Sequence, residues 1–240
     1  MDYFGGFMVD TVCFDLGNTL VEELKEDKAL REDGARNLYS ELRLERKIEY
    51  EHFVEIHDKI WIEEEKVRLK FREVNVERLI TRLLGKLGMN RPDIDHLIDV
   101  YFSPKLKYVK LFPDVLDVLE KLRENGYKLV LISNALPSNK LVFKHFKLDS
   151  FFDIALFSYE IGLRKPHPDI FHEALERVKS SPEKAIMVGN NPFADIAGSR
   201  LVGMKTVLIV RHRIGKEDAP VLPDYIVPSL YQVLDLLAKY

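Results

Sequence analysis

Two textures divide the chain. From about residue 22 to about residue 105 the apolar positions recur at three- and four-residue spacing, and no convincing strand interrupts them. Leu79, Ile80, Leu83, Leu84 and Leu87 follow a capping candidate, Asn75, and stop at Gly88, which predicts an amphipathic helix. Ile94, Leu97, Ile98 and Tyr101 repeat the pattern after Pro92. The charged stretch "IEEEKVRLKFRE" reads as a solvated face over a small core that holds Trp61 and Phe71.

After Tyr108, helical patterns alternate with short continuous apolar runs, the mark of a parallel sheet covered on both faces. Pro113 opens a helix carrying Val115, Leu116, Val118, Leu119 and Leu122, and Gly126 closes it. "KLVLISNA", "FDIALFS", "KAIMVGNN", "KTVLIV" and "DYIV" read as strands. Ile170, Phe171, Ala174, Leu175 and Val178 share one face of a helix, Gly203 ends another, and a last helix begins near Ser229. Val12, Cys13 and Phe14, near the N-terminus, read as a further buried strand of the same sheet. The pattern therefore predicts an α/β protein with a Rossmann-like parallel sheet, residues 1–21 and 106–240, interrupted after its first strand by an all-helical insertion over residues 22–105.

Composition narrows the class. In 240 residues, 46% hydrophobic and 31% charged positions indicate a globular chain with a sizeable core. A net charge of −3 without a basic block gives no nucleic-acid footprint, and the longest apolar runs are too short to cross a bilayer. The first residues lack the basic head and apolar stretch of a secretory signal, and the single cysteine, Cys13, rules out an intramolecular disulfide; a cytoplasmic location is the default expectation. One glutamine, Gln232, among abundant Glu, Lys and Arg leans in the thermophilic direction. Oligomeric state has no signature.

In open parallel sheets ligands bind beyond the carboxyl ends of the strands. Asp15, Ser133 and Asn190-Asn191 all follow predicted strands, Lys165 precedes a helix, and Asp195 lies five residues beyond Asn190. Each has a bland explanation alone. Ser133-Asn134 can cap a helix, Lys165 can be a solvated loop residue, Asn190-Asn191-Pro192 can be a turn, and Asp195 can cap the helix after it. Taken in order, a strand-end carboxylate, a hydroxyl, an ammonium and a second polar cluster are what phosphoryl transfer to a carboxylate requires. Asp15 would attack phosphorus in line, Ser133 and Lys165 would hold the equatorial oxygens, and Mg²⁺ would keep nucleophile and substrate from repelling each other.

The chain resembles the haloacid dehalogenase-like hydrolase superfamily. "FDLGNTL", "LISNA", "LRKPHPDIF" and "VGNNPFADIAGSRLVGM" resemble its four motifs in order, and the helical insertion falls where that family carries a helical cap. The resemblance implies a nucleophilic Asp15, Thr19 or Ser133 holding phosphate with Asn134 beside them, and Lys165 as the balancing cation. It also implies Mg²⁺ ligation by Asp15, the Gly17 carbonyl and the fourth motif, through Asn190 and Asp195, with a small phosphorylated metabolite as substrate.

Two positions depart from the family's phosphatases. They place a second aspartate, the proton donor, where this chain has Gly17, and an aspartate metal ligand where it has Asn190. Gly17 reads as the backbone turn that aims Asp15 at the cleft, and Glu22 and Glu23 are nearby candidates for the missing donor. Dehalogenases of the superfamily need neither metal nor the second aspartate. They carry a tyrosine where this chain has Phe171, however, and "KPHPDIF" resembles the phosphatase branch. A binding protein without turnover is the third reading.

Overall fold

The protein, seen in a computed structural model, is described over residues 9–90, 92–211 and 221–238. The first strand, β1 (Thr11–Phe14), is followed by a short β2 (Val21–Glu23) and then by four helices: α1 (Asp27–Glu41), α2 (Tyr50–Glu65), α3 (Val76–Lys86) and α4 (Ile94–Phe102). Next come β3 (Val109–Leu111), α5 (Val115–Glu124), β4 (Lys128–Ser133), α6 (Pro137–His145), β5 (Ile154–Phe157), α7 (Ser158–Ile161) and α8 (Pro168–Val178). The chain continues through β6 (Ala185–Gly189), α9 (Gly198–Leu201), β7 (Lys205–Ile209), β8 (Tyr225–Val227) and α10 (Leu230–Leu237).

Six strands form one parallel sheet in the order β5-β4-β1-β6-β7-β8. Order reverses on the two sides of β1, so the loops after β1, β4 and β6 open at a common switch point, where α/β sheets bind ligands. The apolar runs are continuous because both faces are covered. Phe14, Leu129, Leu131 and Val188 pack on one side with α5, α6 and α10, and Cys13, Val130, Ile132 and Met187 pack on the other with α8. Burial pushes the Cys13 thiol up to about 12, against a small pull from Lys165.

The insertion has its own core, in which Leu38, Phe53, Trp61, Ile80, Leu83 and Tyr101 meet. Asn75 caps α3 by accepting the Arg78 amide at 2.8 Å, and Gly88 follows the helix at φ +63°. Trp61 is sealed there, its Nε1–H donating to the Tyr101 hydroxyl, which also contacts His57 Nε2 at 2.8 Å. Three expectations need correction. Phe71 is 38% exposed, lies outside the core that holds Trp61, and faces Phe193, with ring centroids 6.2 Å apart. The charged face is not uniformly solvated, because Glu64 is buried between Arg78 and Arg82. Strand β2 begins at Val21 and runs into the stretch read as wholly helical; it pairs antiparallel with β3, so both connections between insertion and sheet run through one small ribbon. A three-residue strand of Val-Glu-Glu offers no alternation long enough to detect. No helix among the described residues is long and apolar enough to cross a membrane.

Candidate active site

The loops at the switch point and the inward face of the insertion enclose a polar cavity of about 260 Å³. Asp15, Ser133, Lys165, Asn190 and Asp195 all line it, although they come from four separate loops. At its floor the Lys165 ammonium donates to Asp15 Oδ1 at 2.7 Å, to Asp195 Oδ1 at 2.6 Å and to the Ile132 carbonyl at 2.6 Å. Lys165 is 2% exposed. Burial works against its charge, but the two carboxylates outweigh it and its pKa lies above the usual lysine value. Asp195 is equally buried, and burial pushes it up to about 6 despite Lys165, because one cation faces two carboxylates.

Several residues hold the cluster in place. Asn134 accepts the Lys165 amide at 2.7 Å and donates to the Lys165 carbonyl at 2.9 Å, so both ends of its amide fix the lysine's backbone while the residue also lines the cavity. Thr19 is fully buried behind Asp15 and does not line the cavity. Its hydroxyl lies 3.3 Å from Asp15 Oδ2 and 3.4 Å from Asn190 Oδ1, a placement that positions those oxygens and leaves Ser133 as the strand-end hydroxyl on the cavity wall. Arg211 anchors the Thr19 carbonyl from below through Nε and Nη2 and is itself held by Asp114.

The geometry also revises the turn after β1. The left-handed backbone falls at Asn18 (φ +55°), not at Gly17. Gly17 is needed for room instead: a Cβ there would lie 3.0 Å from the Glu23 carboxyl carbon. Gly189 serves in the same way, since a Cβ there would come within 2.3–2.5 Å of Asp195. Asn191 accepts the Phe193 and Ala194 amides and opens the wide π-type turn Pro192–Ala197 that presents Asp195; the sequence pattern had indicated an ordinary helix.

The insertion contributes groups that single-motif reading passed over. Lys105, 5% exposed, pairs with Glu23 Oε1 at 2.6 Å and donates to Asn139 Oδ1 at 3.0 Å. Glu73 accepts from Arg68 Nε at 2.9 Å, the Val74 amide at 3.0 Å, Ser158 Oγ at 2.7 Å and Arg164 Nη1 at 3.2 Å. Burial draws Arg164 below its usual value, with Glu73 opposing. Backbone bonds reinforce this junction: the Glu73 amide donates to Gly162 at 3.1 Å and the Arg164 amide to Phe71 at 3.0 Å. Arg164 stands inside one of the four motifs, but nothing local marks the reach of Glu73 to Arg164, 91 residues away, or of Lys105 to Asn139, 34 residues away.

A family model for haloacid dehalogenase-like hydrolases matches residues 9–203, and the chain belongs to that family of hydrolases. Glyceraldehyde 3-phosphate phosphatase of Pyrococcus furiosus is 28% identical over 235 residues, covering 96% of this chain and 94% of that one. Phosphoserine phosphatase of Thermus thermophilus is 33% identical over 160 residues, covering 65% and 63%. Among solved structures, a 2-haloacid dehalogenase from Pseudomonas syringae superposes with a TM-score of 0.75 at 27% identity over 97% of this chain and 99% of that one. A phosphatase from Thermococcus onnurineus superposes at 0.64 with 24% identity over 95% and 98%.

Proposed function

We propose that the protein is a Mg²⁺-dependent phosphatase of small phosphorylated metabolites that works through an aspartyl-phosphate on Asp15. The observation that carries this reading is the buried Lys165 ammonium joined to both Asp15 and Asp195 on the floor of a polar cavity. Lys165 holds the Asp15 carboxylate through Oδ1, and its charge offsets the build-up on the transferring group. The relatives named as phosphatases of glyceraldehyde 3-phosphate and phosphoserine support the same substrate class.

Electrostatics call for a further cation, since five carboxylates and four cationic side chains line the cavity before any phosphate enters. The donor set suits a hard ion. Asp15 Oδ2 and Asn190 Oδ1 are both within 3.4 Å of one hydroxyl, and Gly17 lines the same wall. Among the described residues no three His, Cys, Asp or Glu side chains form a metal cluster, so an amide and a backbone carbonyl must share the work. Asp195 fits less well as a direct ligand, because Oδ1 is taken by Lys165 and Oδ2 by the Asn191 amide at 2.9 Å. Asp15, Asn190 and the Gly17 carbonyl would hold Mg²⁺, which would supply neutralisation of the phosphate charge; Asp195 acts through Lys165.

The dehalogenase reading keeps two observations in its favour, the absence of a carboxylate at position 17 and the superposition on the Pseudomonas syringae 2-haloacid dehalogenase. Phe171, where dehalogenases carry tyrosine, is fully buried against α9 and outside the cavity. Purified protein assayed on phosphate monoesters and 2-haloacids, with Mg²⁺ and with chelator, decides the matter. Mg²⁺-dependent phosphate release that Asp15→Asn abolishes, with an unchanged far-UV spectrum, is the expected result. Metal-independent halide release would replace the proposal.

A further inference from the structure

Gly17 removes the side chain that would protonate the leaving group, yet the space beside it is not left to water. The Glu23 carboxylate reaches back from β2 and places its carboxyl carbon and both oxygens 3.0–3.2 Å from where a Cβ on residue 17 would stand. Its backbone is fixed on two sides, by the Asn18 side chain accepting the Glu23 amide at 3.2 Å and by pairing with Val109. Glu22, its neighbour, pairs with Lys110 in the ribbon and is not part of the cavity wall, whereas Glu23 lines the cavity with Asp15. We propose that Glu23 is the catalytic residue that moves the proton in place of the missing aspartate, with Lys105 as the residue that positions it. This rests on the phosphatase reading of the site.

The steps balance. As an Asp15 carboxylate oxygen bonds to phosphorus and the ester P–O bond breaks, the protonated Glu23 carboxyl gives its proton to the departing oxygen, which leaves as an alcohol. The Glu23 carboxylate then takes a proton from the water that attacks the aspartyl-phosphate. Phosphate departs, Asp15 returns as a carboxylate, and Glu23 is protonated again. Lys105 holds Oε1 at 2.6 Å, so Oε2 is the oxygen that handles the proton. Glu23 and Lys105 sit on the two connections between insertion and sheet, one at the end of β2 and the other in the Ser103–Tyr108 turn.

The space occupied by Glu23 makes a distinctive test. Glu23→Gln keeps an oxygen for Lys105 but cannot carry the proton. General acid catalysis contributes about 10²–10⁴-fold, and most for basic leaving groups. With Mg²⁺ present, Glu23→Gln should lose about that factor on an alkyl phosphate such as glycerol phosphate. On p-nitrophenyl phosphate it should keep a rapid first-turnover burst of nitrophenol while steady-state turnover falls. Gly17→Asp alone should gain nothing, because its side chain meets Glu23, whereas Gly17→Asp combined with Glu23→Ala should recover alkyl phosphate hydrolysis. A Glu23→Gln enzyme with the wild-type dependence on leaving group, or one slowed equally on both esters with no burst, overturns the assignment and returns Glu23 to anchoring Lys105. Wild-type enzyme that hydrolyses neither ester overturns the phosphatase reading itself, and the Glu23 assignment with it.

Discussion

Glu73→Gln tests whether the insertion is latched to the sheet through a buried charge. The Glu73 side chain accepts four hydrogen bonds, two of them from guanidiniums, and its carboxylate is 1% exposed. Glutamine has nearly the same shape but turns one acceptor into a donor, which would face Ser158 Oγ or Arg164, and it leaves Arg164 without its paired carboxylate, while Arg68 keeps Glu65 at 2.9 Å. Breaking a buried ion pair by removing one partner costs about 3–5 kcal/mol. Arg68 and Arg164 are each about a quarter exposed, so water recovers part of that and the lower end applies. At about 2–4 °C per kcal/mol for a chain of this size, the melting temperature should fall by roughly 6–12 °C. Circular dichroism and Trp61 emission measure it, with Glu63→Gln as a control whose carboxylate is solvated. A shift no larger than that of the control would show that the four bonds are replaceable by solvent and that no latch exists.

Two further outcomes follow from particular side chains. Burial holds His57 below its ordinary 6.5, against Asp58, so the unfolded chain takes up this proton before the folded one. The stability it contributes is complete above pH 6.5 and is lost as pH falls through the folded value, so wild type should lose melting temperature between pH 7 and 5 more steeply than His57→Gln; parallel curves would remove His57 from the account. Asn190→Asp adds a carboxylate beside Asp15 and should lower the Mg²⁺ concentration for half-maximal activity, measured by titration with melting temperature alongside; an unchanged midpoint would take Asn190 out of the metal set.

Much of this architecture was legible before any coordinates. The strands around Asp15, Ser133 and Asn190 are continuous apolar runs because the sheet is covered on both faces, and such runs are short, local and bounded by turn residues. The candidate cluster was legible for the same reason, since strand ends converge at the switch point of a parallel sheet. What escaped was non-local. Whether Thr19 faces the ligand or supports Asp15 depends on Arg211, 192 residues away, and the use of Asn134 by the Lys165 backbone depends on a loop 31 residues on. Glu23 was visible only as one of two adjacent acids, and the alternation of a three-residue strand, set by its pairing with β3, decides which of them enters the cavity.

The separation of the hydrophobic cores has a practical side. The chain has one tryptophan and one cysteine, and they fall in different bodies: Trp61 in the core of the insertion, Cys13 in β1 on the face of the sheet that α8 covers. Indole emission therefore reports on one body and thiol reactivity on the other, with no label introduced. A fully buried thiol raised to about 12 is nearly all protonated at pH 8, so alkylation at Cys13 waits on opening of the sheet and its rate counts those openings. Followed together in increasing denaturant, the native protein gives two clocks, and the interval between them measures how far the insertion can loosen while the sheet that carries Asp15 stays whole.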